Sequence, residues 1–193
     1  IALITFTATD ETLNSVSSTA TLTITDTRAP VITRAAASQS VRCDGNGNTE
    51  AFSLWMDTHG GALATDSCDA NLVWTYTGGT WTTICGNSKE TTVTFYAADA
   101  CGNTSTGTTA TFIIRDSTVP VITKPAENRT VDCDGAGNTT ALTGWLSNHG
   151  GAVATDACNS VTWSHNFTAL EPLCGATGTT SVTFTATDDC GNK

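Results

Sequence analysis

Apolar residues alternate with threonine and other polar residues along much of the chain. Val93, Phe95 and Ala97 are separated by threonine and tyrosine, and a similar alternation runs through residues 72–76 and 109–114. A period of two places every second side chain on one face, which is typical of a half-buried β-strand. Threonine is β-branched and suits the exposed face of such a strand. The pattern therefore predicts a mainly β protein.

One stretch has a different period. The apolar residues of 51–56 recur at helical spacing, and the same arrangement returns once later in the chain. Asn48 or Thr49 can cap the start of this helix, and Gly60-Gly61 can end it. We predict a helix of about three turns, roughly 16 Å long. Its apolar stripe is centred on Trp55 and should face the sheet.

The strongest signal is an internal repeat of about 90 residues. Ile-Thr-Asp-Thr-Arg-Ala-Pro-Val-Ile ends at Ile32, and Ile-Arg-Asp-Ser-Thr-Val-Pro-Val-Ile ends at Ile122, an offset of 122 − 32 = 90. Further matches pair Cys43 with Cys133, Trp55 with Trp145, Cys68 with Cys158, Trp74 with Trp163, Cys85 with Cys174 and Cys101 with Cys190. We predict that residues 1–26 are the C-terminal part of one repeat, 27–116 a complete repeat and 117–193 a third repeat that lacks its last strand.

Short predicted strands, frequent turn residues and a buried tryptophan are typical of an immunoglobulin-like β-sandwich. We therefore expect tandem immunoglobulin-like repeats of about 90 residues, each with one short helix in place of the usual second strand. The chain begins and ends within strand patterns, so we expect it to be a piece of a longer protein whose secretion signal lies elsewhere.

The repeat also carries a family resemblance. Val-Thr-Phe-Thr-Ala-Thr-Asp-Asp-Cys-Gly-Asn (182–192) is followed, in the complete unit, by a threonine-rich strand and Asp-x-x-x-Pro-Val-Ile. Together these motifs resemble the hyalin-repeat-like (HYR-like) domains of very large bacterial surface adhesins of the Bacteroidetes, including those linked to gliding motility. The resemblance implies a secreted or surface-attached tandem array that serves adhesion or fibre building. The first unit departs from it, because Thr12 and Leu13 stand where Cys101 and Gly102 are expected.

Charge excludes some partners. The chain carries 8 Lys+Arg against 18 Asp+Glu, a formal net charge of -10. This balance argues against nucleic acid and anionic lipid surfaces, which select for basic patches. No apolar stretch approaches the roughly 20 residues that cross a bilayer, so we expect no membrane insertion. The acidic balance is compatible with divalent cations.

Eight cysteines indicate an oxidising compartment. The chain has no C-x-x-C pair, which argues against a zinc site. Four cysteines in a unit allow three connectivities, and the expected strand directions favour one of them. They place the first and third cysteines of a unit at one end of the sandwich and the second and fourth at the other. The predicted disulfides are Cys43–Cys85, Cys68–Cys101, Cys133–Cys174 and Cys158–Cys190.

The same topology gathers acidic residues at the ends that face a preceding repeat. The predicted sets are Asp26, Asp66, Asp69, Asp99 and Asn103 at one junction, and Asp116, Asp156, Asp188 and Asn192 at the next. Clusters of carboxylate and amide oxygens suit Ca²⁺, which takes about 6–8 oxygen ligands. One hypothesis is therefore a Ca²⁺ ion at each junction. The other is that each Asp caps only its own turn.

No catalytic motif stands out. The sequence has no G-x-S-x-G, H-E-x-x-H or glycine-rich phosphate loop. His59 and His149 are expected in the last helical turn, where an imidazole can bond terminal carbonyls, and His165 is not repeated. We expect a protein that is not an enzyme.

Two functional hypotheses follow. The first is a stalk or spacer repeat of an extracellular adhesin or cell-surface filament, with its own neighbouring repeats as partners. The alternative is a carbohydrate- or protein-binding module of a secreted multidomain protein. Trp81 has no counterpart in the next repeat, so it either contacts a sugar or extends the core. Other copies in a fibre and surface glycans are the further candidate partners.

Overall fold

The computed structural model describes residues 2–193 and is mainly β, with two α-helices. The strands in this range are β1 (Ala2–Thr9), β2 (Ser15–Leu22), β3 (Val31–Arg34), β4 (Gln39–Arg42), β5 (Leu63–Thr65), β6 (Val73–Cys85), β7 (Ser88–Ala98), β8 (Thr108–Arg115), β9 (Val121–Lys124), β10 (Val153–Thr155), β11 (Val161–His165), β12 (Glu171–Pro172), β13 (Gly178–Thr179) and β14 (Phe184–Asp188). The helices are α1 (Thr49–Asp57) and α2 (Thr139–Ser147). Within the described residues, neither helix is long and apolar enough to cross a membrane.

The largest sheet lies in residues 27–116, which we term the second segment. Its strand order is β4-β8-β7-β6, with β4 parallel to β8 and the other pairs antiparallel. Strand β7 is central, and its residues alternate between buried and less buried positions, as the period of two predicts. The strands expected around residues 92–97 and 109–114 are confirmed, and β6 contains most of the one expected around 72–76.

Helix α1 covers one face of this sheet. Trp55 is only 3% exposed, and its ring lies 5.5 Å from that of Phe95 and 5.4 Å from that of Phe112. The indole N–H donates to the backbone carbonyl of Ala37 at 3.0 Å, which satisfies the one polar atom of this buried side chain. The prediction that the apolar stripe of the helix is centred on Trp55 is confirmed.

The predicted ends of the helix need correction. Asn48 stands at the N-cap position with φ 53° but makes no side-chain capping bond; its amide instead donates to the carbonyl of Arg42 at 2.8 Å. The helix ends at Asp57, and His59–Gly61 form a separate 3-10 turn. His59 has a positive φ of 54°, and its ring stacks on Trp74 at 4.6 Å. It therefore does not lie in the last helical turn, and the same holds for His149, which stacks on Trp163.

Residues 117–193, the third segment, share most elements of the second, but no strand in the position of β4 lies between β9 and α2. Strand β9 pairs with β10 as β3 pairs with β5, and β11 pairs with β14 as β6 pairs with β7. Trp145 of α2 packs against Phe184 at 5.3 Å, the counterpart of the Trp55–Phe95 contact. The sequence of this segment contains no counterpart of β8, so its main sheet is narrower and its residues are more exposed.

Residues 1–26, the first segment, form an antiparallel hairpin over the part that the structure describes. Strand β1 pairs with β2 in a continuous register from Ala2↔Leu22 to Thr9↔Ser15. Asp10 closes the turn, since its carboxylate accepts from the amides of Thr12 and Asn14. Every side chain of both strands is exposed, Phe6 among them.

Candidate functional site

The second and third segments meet at a junction held by two disulfides. Cys43 bonds to Cys158 across 115 residues, and Cys85 bonds to Cys190 across 105 residues. The Cα–Cα distances are 6.2 Å and 5.1 Å, within the range that disulfides span. Cys43 and Cys158 are buried, which makes this pair part of the core as well as a covalent link.

The predicted disulfide pairs are therefore wrong. Cys43–Cys85 and Cys158–Cys190 do not form, because each of these cysteines is bonded across the junction. The expected placement was correct in one respect, since Cys43 and Cys85 do lie at the same end of the second segment. Their partners come from the end of the third segment that abuts them. Cys68–Cys101 and Cys133–Cys174 do not form either, and all four of these cysteines are exposed free thiols.

The loop after β4 is shaped to approach the third segment. The carboxylate of Asp44 accepts from the amides of Asn46 at 2.7 Å and Asn48 at 3.0 Å, which closes a tight turn. These amide hydrogen bonds hold the pKa of Asp44 below its ordinary value. Gly45 has φ +77°, and a Cβ placed there would lie 2.6 Å from the carbonyl oxygen of Ala157. Only glycine allows this close approach of the two backbones.

Three polar side chains bridge the junction between the disulfides. The backbone amide of Asn87, in the turn between β6 and β7, donates to Oδ1 of Asn159 at 2.9 Å. The side chain of Asn87 donates to the carbonyl of Cys158, and that of Asn159 donates to the carboxylate of Asp116. The bonds to Cys158 and Asp116 are half-buried, and together the three bonds help to fix the relative position of the two loops.

The junction also collects carboxylates. Asp116, Asp156 and Asp188 each place a carboxylate oxygen within 4.8 Å of the others. One oxygen of each also accepts backbone amides of its own turn: Thr118 donates to Asp116, Cys158 and Asn159 to Asp156, and Cys190 and Asn192 to Asp188. Turn capping and clustering therefore occur together.

Asp188 is the most buried member of this cluster, at 4% exposed. Burial opposes its ionisation, but the hydrogen bonds from the side chain and amide of Asn192 outweigh it and lower the pKa of the carboxyl. Asp188 is thus held as an anion at the junction. Asn192 meets Asp188 through its Nδ2 at 2.7 Å, so it acts as a donor to the carboxylate.

The corresponding residues at the other end of the second segment are only partly brought together. Asp26 and Asp66 cluster with the sulfur of Cys68. Asp69 instead accepts from the amide of Ala100 at 2.8 Å, and Asp99 accepts from the side chain of Asn103 at 2.7 Å, which lowers its pKa. The all-oxygen group at Asp116, Asp156 and Asp188 fits a hard cation such as Ca²⁺, whereas a group that includes a thiol fits it less well.

Trp81 lies at the edge of the core of the second segment. Its ring contacts Phe52 at 4.9 Å and Phe112 at 6.4 Å, and the ammonium of Lys89 lies 4.7 Å from its centre. This packing favours the interpretation in which Trp81 extends the core, because little of the ring face is left for a sugar.

Sequence reasoning missed four junction residues: Gly45, Gly86, Asn87 and Asn159. Gly86 is the turn residue beside Cys85, and a side chain there would overlap Asn159. The repeat holds a signal for Asn159, since it replaces Asp69 at the matching position. Its donor amide can approach Asp116, where a second carboxylate would repel it.

No family model matches the chain, and no curated protein matches it.

Proposed function

We propose that this chain is a structural stalk or spacer segment of an extracellular adhesin or cell-surface filament, built of tandem immunoglobulin-like repeats and without enzymatic activity. The observation that supports this most directly is the pair of disulfides between the second and third segments. Links between domains are normally where a string of domains bends. Two covalent attachments at that point suit a protein that must stay extended at a fixed length.

The composition of the strand surface supports the same role. On the exposed face of β7 and β8, Thr92 bonds Thr111 at 3.0 Å and Thr94 bonds Thr109 at 2.9 Å. Such cross-strand hydroxyl pairs stabilise a sheet without adding charge. The disulfides suit an oxidising location, and the resemblance of residues 182–192 to HYR-like adhesin domains agrees with a place at the cell surface.

Stretching single molecules tests the stalk. With both disulfides closed, the segment between Cys43 and Cys158, a sequence separation of 115, cannot extend, so full unfolding should release about 400 Å less length than in the reduced protein. The oxidised protein should also unfold at higher force. Equal extension in both states would contradict a covalently reinforced stalk.

We further propose that Ca²⁺ binds among Asp116, Asp156 and Asp188. Three carboxylates within 4.8 Å repel one another, and a divalent cation would relieve this repulsion and join both sides of the junction. Added Ca²⁺ should raise the melting temperature of the oxidised protein, and EGTA should reverse the rise. Asp116→Asn should reduce the effect, while Asp57→Asn at the exposed end of α1 serves as the control. An unchanged melting temperature would remove calcium from the proposal.

A binding module is the second candidate, and one surface favours it. A groove of about 470 Å³ beside α1 is lined by aromatic side chains, with Trp74 stacked on His59 and Tyr76 59% exposed. The third segment has His165 at the position of Tyr76, so the groove is not repeated unchanged. Aromatic rings on a surface suit sugar binding. A glycan array of the whole chain tests this candidate, with Tyr76→Ala as the matched negative; binding that Tyr76→Ala abolishes would favour it over the spacer.

A further inference from the structure

The four free thiols occupy the positions that bonded cysteines occupy at the junction. Cys133 and Cys174 of the third segment match Cys43 and Cys85 of the second. In the other direction, Cys68 and Cys101 of the second segment match Cys158 and Cys190 of the third. The chain therefore presents one complete junction and, at its two ends, the two complementary halves of another.

The local geometry around the free thiols matches that around the bonded ones. The amide of Cys68 donates to Asp66 at 2.8 Å, as that of Cys158 donates to Asp156 at 2.8 Å. Likewise, the amide of Cys101 donates to Asp99 at 2.9 Å, as that of Cys190 donates to Asp188 at 2.8 Å.

The loop that carries Cys133 repeats the loop that carries Cys43. Asp134 accepts from the amides of Ala136 at 2.7 Å and Asn138 at 2.9 Å, as Asp44 does from its own turn. Gly135 has φ +72° with open space in front of it, where Gly45 meets Ala157. The surface around Cys133 is thus shaped to receive a neighbouring backbone that the chain itself does not supply.

We propose that these thiols form inter-repeat disulfides of the same connectivity with another copy of the repeat. Cys133 bonds to a cysteine in the position of Cys68, and Cys174 bonds to one in the position of Cys101. The occupant of the exposed end of the third segment is therefore a following repeat of this same sequence, linked to it twice. This inference deepens the proposed stalk, on which its biological meaning rests, by assigning the bonds that would make the array covalent at every junction.

Each bond forms by thiol–disulfide exchange with a small disulfide oxidant, such as oxidised glutathione. The first cysteine thiolate attacks the oxidant, which forms a mixed disulfide and releases one glutathione thiolate. The second cysteine then attacks the protein sulfur of the mixed disulfide and releases the other glutathione. The two protein thiols are oxidised, and the oxidant is reduced to two thiols.

A tandem polypeptide tests the proposal: the full chain is followed by residues 16–193 of a second copy. Asn14, Asn103 and Asn192 hold equivalent positions, because each carbonyl accepts the amide of the Asp four residues earlier. Joining Lys193 directly to Val16 of a second copy therefore continues the repeat in register. The second copy then presents its own Cys68 and Cys101 to Cys133 and Cys174 of the first.

The readout is a map of disulfide-linked peptides after oxidation with glutathione, with free thiols blocked by alkylation. We expect Cys133 of the first copy joined to Cys68 of the second, and Cys174 joined to Cys101. The Cys43–Cys158 bond in each copy shows that the segments have folded. A variant with Cys68→Ser and Cys101→Ser in the second copy should leave Cys133 and Cys174 open to alkylation.

Bonds within one segment, Cys68–Cys101 or Cys133–Cys174, would overturn the proposal. So would alkylation of Cys133 and Cys174 of the first copy while Cys43–Cys158 forms, or bonds between separate molecules on a non-reducing gel. The bond map needs no measurement of force, so its result is distinguishable from failure of the stalk function.

Discussion

The carboxylate of Asp116 accepts a hydrogen bond from the side chain of Asn159, which lies 43 residues later and on the opposite side of the junction. The same Asn159 accepts from the backbone amide of Asn87. One side chain thus ties together two separate loops of the second segment, between the two disulfides. The junction is a polar interface closed at both sides by sulfur.

Removing this side chain should weaken the interface. Asn159→Ala leaves a largely buried carboxylate and the Asn87 amide without their partner, which typically costs about 1–3 kcal/mol. Urea unfolding with the disulfides intact should show this loss. Asn148→Ala is the control, since its backbone groups alone make the hydrogen bonds at the end of α2. Equal stability of the two variants would show that Asn159 contributes nothing to the junction.

Substitutions at two glycines distinguish the cost of backbone strain from the cost of a steric clash at the junction. Gly45 and Gly135 both have positive φ, so alanine at either position should cost about 1–2 kcal/mol. Gly45→Ala should cost more, because its Cβ meets the carbonyl of Ala157, whereas Gly135→Ala meets open space. Urea unfolding of both variants under oxidising conditions measures the difference. If Gly135→Ala is equally destabilising, the contact with Ala157 has no energetic role.

Loss of one junction disulfide should substantially lower the free energy of unfolding. Replacing Cys43 and Cys158 by serine opens a long loop in the unfolded chain, and the chain-entropy model gives a loss of about 4 kcal/mol. Urea unfolding without reductant should show this loss. Cys133→Ser removes an exposed free thiol and should change stability by less than about 0.5 kcal/mol. A double variant as stable as the control would contradict the role assigned to the bond.

Asp188 should make stability depend on pH in the acid range. Its folded-state pKa lies below the ordinary 3.8, so its contribution is complete above that value and is lost as the pH falls below it. Asp188→Asn should therefore be less stable than the unaltered chain at pH 7, and the gap should narrow near pH 3. An Nδ2 placed at Oδ2 of residue 188 would face the Nδ2 of Asn192, and two donors cannot bond each other.

Urea midpoints at the two pH values, measured with EGTA present, check this without a metal contribution. If the difference in stability between Asp188→Asn and the unaltered chain stays constant with pH, the charge of Asp188 is not stabilised by folding.

The elements that depend on periodicity could be predicted from the sequence. The alternation around Phe95 identifies the central strand, and the spacing around Trp55 identifies the helix and the face that it buries. The capping contact of the helix could not be predicted, because the side chain of Asn48 donates to a carbonyl of the preceding strand. That partner depends on how the chain returns after β4, which no local pattern contains.

The end of the segment at which each cysteine lies could be predicted, but its disulfide partner could not. Strand direction places Cys43 and Cys85 together, yet a single repeat offers no way to tell a partner within it from one in the abutting unit. The distinction depends on how closely two units approach, and Gly45 and Gly86 allow that approach by the absence of a side chain. Besides the acidic residues predicted to gather there, the replacement of Asp69 by Asn159 is a trace of this interface in the sequence.

The spacing of the two sulfur bridges has a mechanical consequence. The polypeptide link alone would act as a swivel, about which one unit could rotate relative to the next. Two bridges attached to different loops, one after β4 and one in the turn before β7, remove that rotation. A string of units joined in this way transmits torque from one end to the other.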